Sequence, residues 1–334
     1  MNYVGIDLHR QYVVVSVEDE QGPAGKPVRI ACSDLSAIEK LFKGLSPFSA
    51  VIESSSSYRW LYDLLSPMGK CILAHPLKLR AIVSARAKTD KLDAAMLARL
   101  LKADMIPQSY VPDERYQYLR DVTRARARIV REMTIAKNEI HALLARANVD
   151  SPYANAMCKR GRQWIGRKAL GYGGDLVKGE LLRRIDYYER EVKEIDLELN
   201  AIAAGFPEVE ALTQLYGVGL YSGLLIVAEI GDPERFSNVD QVGAYSGLTS
   251  RVHQSGGHEY RGRISRQGSP WLRWILVQAA MKAVRQDEKL KDFYTRVRRR
   301  SGVKIARVAA ARKLSGICWL RLRTWWRQYV QQAA

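Results

Sequence analysis

Short β-branched runs and amphipathic helical stretches alternate through the first hundred residues, and two of the apolar runs end on a carboxylate. Tyr3 to Asp7 and Tyr12 to Val17 read as strands, with Asp7 to Gln11 as the tight connection of a hairpin. A third strand is expected near Val28 to Ala31. Asp34 can cap the next helix, where Leu35, Ile38, Leu41 and Phe42 fall at helical spacing, before a strand at Ala50 to Ile52 delivers Glu53. Tyr58 to Leu65 reads as a helix and Lys70 to Ala74 as a fifth strand. Pro76 starts a basic helix, and Thr89 can cap one carrying Asp90, Asp93, Met96, Leu97, Leu100 and Leu101.

Three strands, helix, strand, helix, strand, helix is the order of a ribonuclease H-like domain. Strand ends place Asp7 and Glu53 at a sheet rim, and a spacing of three places Asp90 and Asp93 on one helix face. Four unpaired carboxylates repel one another, so such a cluster makes sense around Mg²⁺ or Mn²⁺, where it can activate phosphate chemistry. Taken singly, each acid has an ordinary structural reading: Asp7 can cap a turn, and acids in a first helical turn complement the helix dipole.

The middle of the chain is helical and elongated. Ile129, Ala136 and Leu143 repeat every seven residues, interleaved with Met133, Ile140 and Ala147, on a helix expected to begin near Asp113. A matching seam follows at Ile185, Val192 and Leu199, alternating with Tyr188, Ile195 and Ile202. Asn148 to Gly179, rich in glycine and basic residues, reads as a turn or small lobe between the two. An antiparallel helix pair serving as a spacer and a dimer contact fit this pattern equally.

From Phe206 onward the pattern is mostly helical. Leu215, Gly217, Val218 and Gly219 before the apolar helix Tyr221 to Ile230 fit two readings equally: a simple helix–helix connection, or a helix-hairpin-helix turn whose glycine amides can approach a phosphate backbone. Ser255-Gly256-Gly257, then Gly262, Ile264, Ser265, Arg266 and Gly268, read as a phosphate-facing loop. On local chemistry Ser255 is either a turn former or a nucleophile. Tyr260 is the other candidate hydroxyl, and His253 and His258 flank the serine.

Charge narrows the partner. With 53 Lys and Arg against 35 Asp and Glu, the net charge is +18 and the pI about 9.8, which favours polyanions through counterion release. Residues 261 to 327 hold 19 Lys or Arg and only three acids, Asp287, Glu288 and Asp292. Arg261, Arg263, Arg266 and Arg273 are the expected phosphate contacts near Ser255, with a wider platform from 296 to 313. Trp271, Trp274, Trp319, Trp325 and Trp326 can stack on bases or pack a core. Cys32, Cys71, Cys158 and Cys318 lack metal-ligand spacing. No signal peptide or membrane span is expected, so a cytoplasmic, nucleoid-associated location follows.

Gly5-Ile6-Asp7, Ile52-Glu53-Ser54-Ser55 ahead of Tyr58, and Lys88-Thr89-Asp90-Lys91-Leu92-Asp93-Ala94 resemble the RuvC-like DEDD domain of Piv-type DNA invertases and related insertion-sequence transposases. Leu215 to Gly219, Arg235-Phe236, Ala244-Tyr245-Ser246-Gly247-Leu248-Thr249, Gln254-Ser255-Gly256 and Arg266-Gln267-Gly268 through Leu272-Arg273 look like that family's transposase domain. The resemblance spans nearly the whole chain. It implies a RuvC-like catalytic domain at 1–112, a coiled-coil helical insertion at 113–205 and a transposase domain at 206–334.

By the same resemblance, Asp7, Glu53, Asp90 and Asp93 are the expected ligands of Mg²⁺ or Mn²⁺, and Ser255 the nucleophile of a covalent phosphoserine intermediate. The implied partners are double-stranded DNA at element ends and target, a structured bridge RNA, and further copies of the chain as a dimer or tetramer. A metal-dependent junction-resolving nuclease, in which water attacks, is the competing expectation, and a non-catalytic nucleic-acid scaffold is the third.

Overall fold

The computed structural model describes residues 1–82, 90–171, 173–255 and 258–333, without the side chains of 252–255, 258–259, 261 and 330–333. The chain divides into two compact units, Met1–Val111 and Pro112–Ala334. Among the described residues, no helix is long and apolar enough to cross a membrane.

The first unit is a five-stranded mixed sheet clothed by helices. In chain order it runs β1 (Asn2–Leu8), β2 (Tyr12–Glu18), β3 (Val28–Ala31), α1 (Leu35–Gly44), β4 (Phe48–Glu53), α2 (Tyr58–Leu65), β5 (Lys70–Ala74), α3 (Pro76–Ile82) and α4 (Asp90–Lys102). The sheet order is β3-β2-β1-β4-β5, with β1 antiparallel to β2 and parallel to β4. This is the mixed sheet expected of a ribonuclease H-like domain. The expected cap of α4, Thr89, and its neighbour Lys88 lie outside the described residues.

Central strands buried on both faces need apolar side chains on each. Val4, Ile6, Ala50 and Ile52 pack with Ile38 and Phe42 of α1 and Leu61 and Leu65 of α2. The opposite face carries Tyr3, Val51, Ile72 and Ala74 against Leu97 and Leu101 of α4. Helix and sheet approach closely on that face because β1 presents Gly5 there. A Cβ at Gly5 would overlap the Ala94 carbonyl and press on the Ala98 amide, so Gly5→Ala must push α4 outward. The substitution is expected to cost about 3 kcal/mol, the upper end for overpacking, read as a lower urea midpoint.

The second unit is largely helical. It comprises α5 (Glu114–Arg146), α6 (Lys159–Arg167), α7 (Gly174–Ala203), α8 (Glu208–Thr213), α9 (Leu220–Ile230), α10 (Val239–Tyr245), β6 (Ser250–Ser255), β7 (His258–Ile264), α11 (Pro270–Ala283) and α12 (Glu288–Ala333). Asp113 caps α5 by accepting from the Tyr116 amide. α12 breaks at Gly302, whose φ is 82°.

α5 and α7 form an antiparallel pair, pinned by Arg126 to Asp196 near one end and by Lys137 to Glu189 further along. Ala136, Ile140 and Leu143 meet Leu181 and Ile185 in the seam, and α6 closes it with Ile165. The lobe between the long helices is shorter than the 148–179 expected, because α7 already begins at Gly174. At the other end of the pair, Tyr116, Leu119 and Leu199 enter the same core as α9, α11 and α12.

One expectation needs correction. The Gly-rich stretch read as a loop is a β-hairpin, with β6 and β7 pairing antiparallel. Two strand-length runs on either side of Gly256-Gly257 carry that signal, since a two-glycine connection is a common hairpin turn. The surrounding basic residues and glycines pointed to a loop instead.

Candidate active site

Strand register brings the acids to one place. Ile6 of β1 pairs with Ile52 of β4, so Asp7 and Glu53 are the next residues of two adjacent parallel strands. They follow the parity of Gly5 and Val51, which puts both on the face covered by α4. α4 in turn carries Asp90 and Asp93 in its first turn. The close approach at Gly5 holds that first turn over the end of β1.

The tightest part of the cluster includes a residue the sequence reading missed. Ligand atoms of Asp7, His9 and Asp90 lie within 4.8 Å of one another. His9 Nε2 is 3.1 Å from Asp7 Oδ2 and 3.3 Å from Asp90 Oδ2. The Tyr12 hydroxyl donates to the same Asp90 oxygen at 3.0 Å. Its ring lies 4.7 Å from the His9 ring, and the Arg29 guanidinium covers it at 3.5 Å. Glu53 and Asp93 do not belong to this tight group among the described residues.

Electrostatics separates the two core carboxylates. Burial pushes the Asp7 carboxyl above its usual range; His9 opposes this, while Asp90 and Asp93 add repulsion. Asp90 moves the other way, lowered first by the Tyr12 hydrogen bond and further by His9. A half-buried carboxylate pressed by two further acids is a poor arrangement for stability alone. It suits a bound cation, whose charge reverses the repulsion. Oxygen donors with one imidazole fit a divalent ion such as Mg²⁺ or Mn²⁺.

In the second unit, Ser255 ends β6, opposite His258 of β7. The side chains of His253, Ser255, His258 and Arg261 lie outside the described residues. Tyr260 is 70% exposed, and Arg263 and Arg266 are exposed. At the base of the hairpin, Ser265 N–H donates to Thr249 and Ser269 N–H to Tyr245. Arg273 donates to the Ser246 carbonyl at 3.3 Å. Burial and the nearby Arg266 guanidinium depress the Arg273 pKa, so two like charges crowd this edge of the unit. Trp319 is buried and donates to the Pro233 carbonyl, which removes it from the set available for base stacking.

Residues 4–149 match a transposase profile of the DEDD type from IS110 elements, and residues 209–295 match the profile described as Transposase IS116/IS110/IS902 family. The chain belongs to the IS116/IS110/IS902 family of transposases. This transposase is 25% identical to a probable family 20 transposase of Pseudomonas aeruginosa, over 96% of its own length and 97% of the relative's. It is 23% identical to the transposase for insertion sequence element IS1328 of Yersinia enterocolitica, covering 95% of each chain. The transposase for element IS1111A of Coxiella burnetii is likewise 23% identical, over 96% of this chain and 89% of that one. The first profile takes in Asp7, Glu53, Asp90 and Asp93, and the second takes in Ser255, Arg261, Arg263, Arg266 and Arg273.

Proposed function

We propose that this transposase cuts and rejoins DNA through a covalent phosphoserine intermediate at Ser255, with metal-assisted chemistry at its acidic cluster. The observation that carries the reading is the convergence of Asp7 and Asp90, with Asp93 close enough to repel Asp7. Asp7, Glu53, Asp90 and Asp93 would hold Mg²⁺ or Mn²⁺. When bound, such an ion polarises a phosphate and lowers the pKa of a hydroxyl nucleophile. His9 and Tyr12 orient Asp90 for that task.

In the covalent step the Ser255 hydroxyl attacks a phosphodiester. The Oγ–P bond forms as the bond from phosphorus to the leaving deoxyribose oxygen breaks, the serine proton goes to a base, and the leaving oxygen takes up a proton. The phosphoester bond is conserved, so a new deoxyribose hydroxyl can reverse the exchange and reseal the strand without ATP. Arg261, Arg263, Arg266 and Arg273 bind the flanking phosphates.

The division of labour follows 1–112 for metal-assisted chemistry, 113–205 as a helical spacer and 206–334 for the nucleophile and the basic surface. Strand exchange needs several cut sites held together, which favours an oligomer. The charge excess suits a bridge RNA as well as DNA.

A denaturing gel of protein incubated with Mg²⁺, flanking-region RNA and element-end DNA tests this directly. A protein–DNA adduct is expected, lost in Ser255→Ala. Free cut ends without an adduct, unchanged in that variant, would make the protein a hydrolytic nuclease.

A further inference from the structure

The register that aligns the acids also aligns a cation with them. Asp7 of β1 pairs with Val14 of β2, and Val14 pairs with Arg29 of β3. Directly paired residues share a face of the sheet, so Asp7, Val14 and Arg29 form one row. Ile30, the next residue, packs into the opposite face with Val13 and Val15. Arg29 therefore stands on the acids' side of the sheet, two strands from Asp7, about 10 Å at the usual strand spacing. α4 packs on β1 and β2, and Arg29, on the edge strand beyond them, is exposed.

Its side chain is nonetheless held. The guanidinium lies 3.5 Å from the centre of the Tyr12 ring, and the Tyr12 hydroxyl donates to Asp90 Oδ2 at 3.0 Å. A guanidinium stacked by its face keeps the N–H donors of its edge free. Arg29 makes no ion pair or hydrogen bond among the described residues. A cation placed to neutralise the acids would pair with Asp90, as His9 does at 3.3 Å. Tyr12 prevents this: its hydroxyl occupies the Asp90 oxygen while its ring holds the guanidinium off. What remains is a fork of unused donors at the rim of a pocket suited to a divalent cation. That combination complements a phosphodiester, whose oxygens accept from a guanidinium on one side and meet a cation on the other.

We propose that Arg29 grips the scissile phosphate of the DNA strand at the acidic cluster. This rests on the reading that the cluster acts on a DNA phosphodiester, and it holds for serine or water as the attacking group. As that group's oxygen adds to phosphorus, negative charge grows on the nonbridging oxygens. A guanidinium already fixed against them strengthens its hold as the charge develops, which speeds the step. Tyr12 is the positioning residue for both parts of the site, orienting Asp90 with its hydroxyl and Arg29 with its ring. The arginines around Ser255 contact flanking phosphates and leave this role unfilled.

The test compares the full-length parent with Arg29→Gln and Arg29→Lys, following loss of intact element-end DNA with Mg²⁺ and flanking-region RNA on a denaturing gel. Arg29→Gln should slow strand breakage about a hundredfold, and Arg29→Lys should recover only part, because a point charge lacks the fork. Removal of free Mn²⁺ from solution, read by electron paramagnetic resonance, should match the parent in both variants, since Arg29 holds phosphate and not the ion. A methylphosphonate at the mapped cut position removes the charge Arg29 grips, so on that duplex the gap between parent and Arg29→Gln should close. Breakage by Arg29→Gln at the parent's rate overturns the proposal, as does lost Mn²⁺ binding or a gap that persists on the methylphosphonate. Failure of the phosphoserine reading shows separately, as free ends without an adduct in the parent lane, and leaves the Arg29 comparison valid. A parent that breaks no strand removes the acids from DNA chemistry and overturns both.

Discussion

Asp7→Asn should reduce DNA cleavage on the order of a thousandfold while raising the melting temperature of the metal-free protein. The two effects share one cause. Burial, with Asp90 and Asp93 nearby, holds the Asp7 carboxyl above its usual range. The folded protein therefore keeps this proton in a pH window where the unfolded chain has released it. Stability falls as pH rises through that window, and the full penalty remains at neutral pH. Asparagine removes the penalty together with the charge a cation needs. Paired thermal melts in EDTA, at neutral pH and within the raised carboxylate range, check the stability effect: the gain should be largest at neutral pH and shrink on acidification. A variant that melts lower than the parent at neutral pH would mean that Asp7 is there to hold the fold.

The largest effect on stability is expected at a residue that performs no chemistry. Glu229 is fully buried in α9. It accepts from Arg124 Nε at 2.7 Å and Nη2 at 2.9 Å, and from Ser269 Oγ at 2.8 Å. Ser269 also caps α11 by accepting from the Leu272 amide. Nearby, Arg120 donates to the carbonyls of Ala228 and Glu229, and Tyr245 donates to the latter. One carboxylate thus ties α5 and α9 to the start of α11, close to the base of the β6–β7 hairpin.

Glu229→Ala leaves Arg124 facing an unfilled, partly buried site, which costs about 3–5 kcal/mol. For a unit of this size the melting temperature should fall on the order of 10 °C. Differential scanning calorimetry measures it. Replacing both partners, Arg124→Met with Glu229→Leu, should recover much of the loss, because a buried pair stabilises little beyond a well-packed apolar substitute. A single variant that melts within a degree or two of the parent would show that the network contributes little.

Much of the first unit could be read from local pattern. Each strand from Tyr3 to Ala74 is short, apolar and bounded by turn residues, and the buried sheet needs that composition on both faces. Asp7 and Glu53 were visible as candidate site residues because each ends an apolar run, and Asp90 and Asp93 because of their spacing. His9 carries no such local signal because it lies in the hairpin connection, and its value comes from meeting Asp90, which is 81 positions away in sequence. Tyr12 opens a strand in the sequence pattern, and its hydroxyl contact with Asp90 is likewise tertiary.

The second unit was harder for the same reason. Glu229 carried a signal, a lone acid inside an apolar helix, since such a residue is almost never fully buried unpaired. Its partners on α5 and at Ser269 come from distant parts of the chain. Trp319 shows the limit of reading aromatics from sequence: on a basic helix it suggests a stacking platform, yet its indole is anchored to Pro233 inside the core.

The most direct measurement is a titration of Mn²⁺ into the metal-free protein, following the signal of free Mn²⁺ by electron paramagnetic resonance and competing with Mg²⁺. If the acids at the end of β1 and the start of α4 form a cation site, the parent protein should remove Mn²⁺ from solution and release it to excess Mg²⁺, while Asp7→Asn and Asp90→Asn leave the ion free. Equal binding by parent and Asp7→Asn, or none by either, would contradict a metal-dependent role for these carboxylates.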